Sequence, residues 1–299
     1  MKKFIPICLI ALLLGAVSSC KNKHVERDAE EEETSASINR TFSALEDSLS
    51  VTYGDIMGLS IYAALQDSNM IAFGVNKDNL MKTVEKAFMK DTTLLDRSNE
   101  RLYGIGMQIC MGIMNLEKSG VSINTKLALN HIKTTVNCDT IDIDSPQTMA
   151  KYQQLQAEYQ RLLQKALQEE GEKNQVDGKN YIDKQMKKDK AFIQTGSGLC
   201  YKILKEGNGA YFNENDVVNV IYVGKHINGE EFDSSKGKTV PFPLQNVIPG
   251  FREVITKMKP GSKAIAIIPG NIAYGEMGNP TGGIGPNETL VFELTTVGL

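Results

Sequence analysis

The pattern of apolar and polar positions divides the chain into a helical first part and a strand-rich last part. Across residues 39–192, apolar residues recur at spacings of three and four, which is typical of amphipathic helices. Beyond Gln194, short apolar runs alternate with turns, and this part holds 16 of the 26 glycines and seven of the nine prolines. Because glycine and proline favour turns, the change in composition predicts two domains, an all-α domain followed by an α+β domain.

The helical part contains a weak internal duplication that predicts two helix pairs. Tyr53 and Tyr103, each followed by glycine, begin apolar helical runs that end near Leu65 and Leu116. A Gly-Val turn and a second helix follow each run. Glycines inside the first helix of each pair cost helix propensity, about 1 kcal/mol each, so we expect close helix packing to compensate.

A longer helix is predicted to begin at Ser145 and Pro146, which supply an N-cap and a proline in the first turn. Its apolar positions form one stripe on an otherwise polar helix, namely Tyr152, Leu155, Tyr159, Leu162 and Ala166. Such a stripe belongs either to a core or to a dimer seam, and we favour a homodimer. Gly171 and Gly178 predict a bend or fraying, after which the helix resumes over residues 181–192 as a connecting stalk.

Strand signals dominate the last third of the chain. The strongest candidates are residues 199–205, 217–225, 263–269 and 290–297, with shorter extended pieces near Phe232 and Phe242. Between them, Pro249 opens a short helix whose apolar side chains share one face. The pattern predicts an antiparallel sheet wrapped around one short helix, with a hollow at the end where that helix begins.

The first twenty residues are typical of an exported bacterial protein. Two lysines precede an apolar stretch from Phe4 to Val17, and two serines lead to Cys20. A helix of that stretch would rise about 21 Å, which is too short for a hydrocarbon layer of about 30 Å. Cys20 stands where bacterial lipoproteins are cleaved and acylated, which predicts a lipid anchor in the outer membrane, facing the periplasm. The alternative is an ordinary signal peptide.

Charge and composition exclude several classes of function. With a net charge of -3 and a pI near 5.8, the chain lacks the excess of basic residues that nucleic-acid binding requires. Three separated cysteines remain after Cys20, which argues against a disulfide framework or a zinc site. Two of them, Cys110 and Cys200, lie in apolar segments and are expected to be buried. None of the three histidines has a partner at ligand spacing, so no metal is predicted.

Five short blocks follow one another in the last third of the chain. They are Val-Asn-Val-Ile-Tyr-Val-Gly at 218–224, Glu-Phe-Asp-Ser-Ser at 231–235, Pro-Phe-Pro-Leu at 241–244, Val-Ile-Pro-Gly-Phe at 247–251 and Ala-Tyr-Gly at 273–275. In content and order they resemble the FKBP-type peptidyl-prolyl isomerases, the macrolide-binding family. The helical part resembles more loosely the dimerising N-terminal domain of secreted FKBP proteins of the macrophage infectivity potentiator type.

Composition and resemblance together predict five segments. These are a signal peptide at 1–19, a disordered acidic tether at 20–38, a helical dimerisation domain at 39–145, a connecting helix at 146–193 and an FKBP-type isomerase domain at 194–299.

The resemblance implies a proline-sized pocket in the last domain. The implied catalytic residues are Tyr222, Phe232, Asp233 and Tyr274, and the implied substrate-binding residues are Phe242, Val247, Ile248, Phe251, Ile284 and Phe292. Phe251 would form the floor, and the Ile248 N–H with the Tyr274 hydroxyl would hold substrate carbonyls. Residues 278–286, which contain Ile284, would form a lip over the pocket.

The chemistry implied by this pocket is non-covalent. No serine or cysteine has a histidine partner and no carboxylate pair has an acid–base spacing. The barrier to rotation about an X-Pro bond comes from amide resonance, so an apolar pocket disfavours the planar amide more than the twisted, less polar transition state. Asp233 would either anchor Tyr222 or polarise the amide, and the sequence leaves both roles open.

Two positions depart from the family pattern. Many relatives place tryptophan at the pocket floor, whereas this chain has Phe251 there and contains no tryptophan, so lower activity or macrolide affinity is expected. Lys238 stands where relatives often carry arginine beside the pocket aspartate, which removes a bidentate ion pair.

The leading hypothesis is a peptidyl-prolyl cis-trans isomerase that needs no cofactor and assists the folding of exported, proline-containing polypeptides, with macrolides as candidate ligands. The alternative is a holdase-type chaperone or a proline-segment binding module with little turnover. Methionines in the helices, taken as exposed, motivate that alternative; they include Met57, Met70, Met89 and Met111.

Overall fold

A computed structural model of the chain describes residues 35–138 and 140–297, and for residues 35–43 it describes the backbone alone. The predicted signal peptide, the lipid anchor at Cys20 and the tether up to residue 34 therefore lie outside the described residues. Within the described part, no helix combines the length and the apolar character needed to cross a membrane.

The first compact unit is all α, as the sequence predicts. Its helices are α1 (Ser35–Gln66), α2 (Ser68–Ala72), α3 (Lys77–Phe88), α4 (Glu100–Lys118), α5 (Thr125–Val136) and the first part of α6 (Pro146–Lys188). Helix α1 begins inside the segment predicted as a tether, because the spacing of three and four between apolar residues already runs from Ile38 to Tyr53.

Two glycines of α1 allow the close helix packing that the sequence predicts. A Cβ on Gly54 would lie 2.6 Å from the carbonyl oxygen of Ala128 on α5, and a Cβ on Gly58 would lie 2.7 Å from the Thr135 Cβ. Any larger residue at these positions would push α1 away from α5. The packing gained at the contact offsets the helix propensity that glycine loses.

The apolar stripe of α6 belongs to the core of the same unit. Tyr152, Tyr159 and Leu162 are each no more than 5% exposed, and the Tyr159 ring centroid lies 6.0 Å from that of Tyr53 on α1. One chain thus buries every residue of the stripe except Leu155, which is half-buried, and the homodimer stays a prediction. Met57 and Met70 are buried as well, so the expectation that they are exposed was wrong.

The second compact unit contains a seven-stranded sheet. Its strands are β1 (Ile193–Gln194), β2 (Cys200–Lys205), β3 (Val217–His226), β4 (Glu231–Ser234), β5 (Val240–Pro243), β6 (Lys263–Ile268) and β7 (Leu290–Thr296), and its short helix is α7 (Pro249–Thr256). The strand order is β1-β2-β6-β7-β3-β4, β5 also pairs with β3, and every pairing is antiparallel. The predicted α+β class and antiparallel sheet are confirmed.

Alternate residues of the sheet face two different helices. On β6, Ala266 and Ile268 join the core that contains α7, whereas Ile267 between them packs with Cys200 against Ile182 of α6. This second layer was not expected, because a sheet wrapped on one helix needs only one covered face. Cys200 is buried as predicted, and burial raises the pKa of its thiol to about 11.

Helix α6 is continuous from Pro146 to Lys188, so fraying at Gly171 and Gly178 was the wrong alternative, and the bend stays a prediction. From Leu167 onward α6 belongs to the same unit as the sheet. A Cβ on Gly178 would overlap the Thr289 hydroxyl, and Asn174, one turn earlier, donates a 2.9 Å hydrogen bond to the Pro286 carbonyl. Glycine at this position serves close approach to the segment before β7.

Candidate active site

Six aromatic side chains form a continuous cluster around the first turn of α7. Ring centroids of successive neighbours lie 5.3–5.8 Å apart. The order along the cluster is Tyr222, Phe242, Phe251, Phe292, Phe232 and His226. Neighbouring rings meet edge-to-face or tilted, the arrangements that aromatic pairs prefer. Five of the six tyrosine and phenylalanine residues implied from the sequence thus come together, all but Tyr274, and His226 extends the cluster.

The cluster has a closed bottom and an open rim. Phe251 and Phe292 are each 5% exposed, whereas Tyr222, Phe232 and Phe242 are only half-buried. Phe251 reaches this depth because Pro249 and Gly250 begin α7 directly beneath the sheet, where a Cβ on Gly250 would collide with Ile268. Val247 and Ile248, which precede the helix, are half-buried against the same core.

A tyrosine and a carboxylate meet at the open rim. The Tyr222 hydroxyl donates a 2.6 Å hydrogen bond to Oδ2 of Asp233, whose side chain is exposed. The two residues stand on paired strands, since Gly224 of β3 lies opposite Asp233 of β4. Burial, and then the bond to Asp233, raise the pKa of Tyr222 well above its ordinary value, so the phenol stays protonated as a donor.

The predicted lip, residues 278–286, contains the short 3₁₀ turn Pro280–Gly282 and directly follows another, Gly275–Met277. Backbone hydrogen bonds of 2.8 and 3.0 Å tie Asn279 to Ile284 and close the loop between them. Ile284 is 1% exposed and belongs to the core of the aromatic cluster, whereas Tyr274 is 37% exposed. Ile284 therefore anchors the lip, and Tyr274 is partly exposed beside it.

Three residues of the site were not predicted from the sequence, namely Gly224, His226 and Glu288. A Cβ on Gly224 would lie 2.6 Å from the Phe232 ring, so glycine there lets that ring approach β3 closely. His226 extends the cluster, and Glu288 is its hydrogen-bond partner. The period of two along β3 carries a usable signal, because it places Gly224 and His226 on the same face as Tyr222.

The chemical inventory of the site is small. It offers apolar ring faces, one phenol held as a donor to the Asp233 carboxylate, and the hydrogen-bonded pair of His226 and Glu288 beside Phe232. Among the described residues, no three side chains of histidine, cysteine, aspartate or glutamate are grouped as a metal site would require. This arrangement suits the binding of an apolar ring, together with either polarisation of a neighbouring amide or exclusion of water from it.

Models of known families match both units. Residues 209–297 match the model described as FKBP-type peptidyl-prolyl cis-trans isomerase. Residues 98–203 match the model of the domain amino terminal to FKBP-type peptidyl-prolyl isomerase.

The chain is also similar to individual proteins. The chain is 33% identical over 197 residues to the probable FKBP-type peptidyl-prolyl cis-trans isomerase FkpA of Neisseria meningitidis, which covers 65% of this chain and 72% of that protein. It is 29% identical to the outer membrane protein MIP of Legionella longbeachae, with 68% of this chain and 87% of that protein covered. The crystal structure of FkpA from Escherichia coli superposes with a TM-score of 0.51 at 28% identity, over 68% of this chain and 96% of that one.

Proposed function

The chain belongs to the family of FKBP-type peptidyl-prolyl cis-trans isomerases, and we propose that the aromatic cluster around Phe251 is the site at which it rotates X-Pro bonds. One observation carries the proposal: the 2.6 Å hydrogen bond between Tyr222 and Asp233 stands at the open rim of a ring cluster whose bottom is closed. An X-Pro amide that loses polarity as it twists is stabilised by an apolar, water-excluded floor with a single polar pair beside it.

In this proposal the proline ring of the substrate lies on Phe251, beside the half-buried rings of Tyr222 and Phe242. Water is excluded from the prolyl amide. The planar, charge-separated form depends more on hydration than the twisted form does, so exclusion of water raises the free energy of the planar form more. The twisted amide is therefore bound more tightly than the planar one, and the rotation barrier falls. No covalent bond forms or breaks.

Polar groups orient the substrate in the same proposal. Tyr274, which is 37% exposed at the lip, donates to a substrate carbonyl. Phe232 faces the rotating bond, and Asp233 keeps the Tyr222 phenol in place. The Ile248 N–H holds a second carbonyl, because Ile248 is the residue that caps α7 next to Phe251.

The direct test is the exchange of a proline tetrapeptide between its cis and trans forms, measured by NMR with the chain from residue 20 onward. Uncatalysed exchange takes tens of seconds or longer, so we expect a clear acceleration at micromolar enzyme. A chain that ends at Ala166 is the control, because it lacks the sheet and α7. A folded full chain that does not accelerate exchange rules the proposal out.

We also place the enzyme in the cell envelope, held by a lipid at Cys20, with exported proline-containing polypeptides as substrates. The sequence around Cys20 and the naming of the Legionella longbeachae relative as an outer membrane protein support this placement. Cys20→Ala is expected to move the protein from the membrane fraction of the cell to the soluble fraction. An unchanged membrane fraction would argue against the lipid anchor.

A further inference from the structure

Glu288 lies two residues before β7 and uses both of its carboxylate oxygens. Oε1 is 2.5 Å from Nδ1 of His226, and Oε2 accepts a 2.8 Å hydrogen bond from the backbone N–H of Gly285. The side chains of Glu288 and His226 are each only 17% exposed. A single carboxylate therefore joins the end of β3 to the lip.

Each partner of Glu288 is attached to a residue of the aromatic site. The ring of His226 lies 5.3 Å from that of Phe232, at an interplanar angle of 63°. Gly285 directly follows Ile284, which is 1% exposed in the core of the aromatic cluster. Glu288 thus acts on one wall of the site through His226 and on the lip through Gly285.

The backbone on both sides of Glu288 is held by α6. Asn174 donates a 2.9 Å hydrogen bond to the Pro286 carbonyl, and Gly178 leaves room for Thr289 against the helix. The carboxylate is therefore presented from a fixed segment of chain, and its reach to His226 does not depend on a mobile loop.

We propose that Glu288 and His226 are positioning residues for the isomerisation, which together hold Phe232 and the lip in the geometry that receives the prolyl amide. The inference rests on the proposed function, since it concerns the same site. The pair itself touches no substrate atom. Without the bond between Glu288 and His226, Phe232 and Ile284 can occupy a wider range of positions. A site that is held less rigidly stabilises the transition state less.

The charges around the pair make its strength depend on pH. The groups that face it are Glu230, next to His226, and Glu170 on α6, which has Lys173 and Asp177 beside it. The hydrogen bond to Glu288 raises the pKa of His226 above its ordinary value, burial opposes this, and the negative charges of Glu288 and Glu230 add to the rise.

The sign of the pH effect follows from the raised pKa. His226 is protonated, and its bond to Glu288 charge-assisted, at pH values below the ordinary pKa of about 6.5. The charge-assisted bond is lost as the pH rises through the raised pKa of the folded state. The Tyr222 pKa is also raised, so the phenol does not ionise in this window. We therefore expect kcat/KM to fall as the pH increases.

The test compares Glu288→Gln with a matched variant, Glu293→Gln. Glu293 also forms an ion pair between β3 and β7, at 2.5 Å from Lys225, but its side chain is 53% exposed and it is not part of the aromatic cluster. We expect Glu288→Gln to lower kcat/KM about tenfold near pH 6 and to flatten the profile between about pH 5.5 and 8.5. Glu293→Gln should stay within about twofold of the wild type and keep its profile.

A second variant keeps the test decisive if Glu288→Gln does not fold. His226→Gln retains a donor for the Glu288 carboxylate but cannot titrate, so its pH profile should be flat. A Glu288→Gln enzyme with the rate and profile of the wild type overturns the inference, as does a pH inflection that persists in His226→Gln. Failure of the proposed function looks different, because the wild type would then be inactive or indifferent to Asp233→Val.

Discussion

Replacement of Asp233 by valine is expected to lower kcat/KM for a proline peptide about 10- to 100-fold. The carboxylate accepts a 2.6 Å hydrogen bond from Tyr222 at the rim of the aromatic cluster, and valine, which is shorter and branches at Cβ, accepts nothing. Hydrogen bonds to charged groups contribute about 1.5–3 kcal/mol, and about 1.4 kcal/mol corresponds to a factor of ten in rate. NMR exchange on the peptide measures the loss.

A double-mutant cycle with Tyr222→Phe decides between the two roles of Asp233. If the carboxylate only anchors the phenol, then either single variant breaks the same bond, and the double variant loses no more than each single one. If the carboxylate polarises the amide, Asp233→Val loses more than Tyr222→Phe.

The matched control for Asp233 is Glu231→Gln on the same strand. Glu231 bonds Ser234 and Lys236 outside the cluster, so its variant should leave the rate unchanged. An Asp233→Val enzyme with kcat/KM within about twofold of the wild type would remove the carboxylate from the site.

Truncation of Phe251 to alanine should damage stability and activity together. Phe251 is 5% exposed and contacts the rings of Phe242 and Phe292 at centroid distances of 5.6 and 5.5 Å. Removal of a buried phenylalanine typically lowers the free energy of unfolding by about 3–5 kcal/mol. The floor under the proline ring disappears at the same time, so we expect kcat/KM of the folded fraction to fall about 100-fold.

Ile255→Ala separates the two effects. Ile255 lies on the same helix, is fully buried and is not one of the clustered rings, so its truncation should cost about 2–5 kcal/mol of stability without changing the rate of folded enzyme. Urea unfolding followed by circular dichroism gives the stability, and exchange in the absence of urea gives the rate. A Phe251→Ala enzyme that remains fully active when folded would contradict its role as floor.

Much of the fold follows from local patterns in the sequence. The strands β2, β3, β6 and β7 begin and end within one residue of the predicted positions, and the helix α7 begins at Pro249 as predicted. Periods of two and of about 3.6 residues are properties of the strand and helix themselves, so they are visible before tertiary structure is known. The five ordered blocks likewise led to the aromatic residues that the structure brings together.

Contacts between distant segments were not predictable in the same way. The bond from His226 to Glu288 spans 62 positions of the sequence, and neither residue belongs to a recognised block. The fraying expected at Gly178 was wrong for a related reason. Glycine lowers helix propensity, but the contact that needs the space beside it, here with Thr289, becomes known only with the tertiary structure.

By itself the sequence determined the division into a helical and a strand-rich part, the antiparallel sheet with one short helix, and the family to which the chain belongs. These depend on spacing and on the order of blocks, which are local. Only the tertiary structure decided that the end of α6 covers the outer face of the sheet. It also decided that most of the apolar stripe of α6 is buried within one chain, and that one carboxylate joins a wall of the site to its lip. Those features depend on which distant segments pack against each other, and the spacing of side chains along the sequence does not specify that packing.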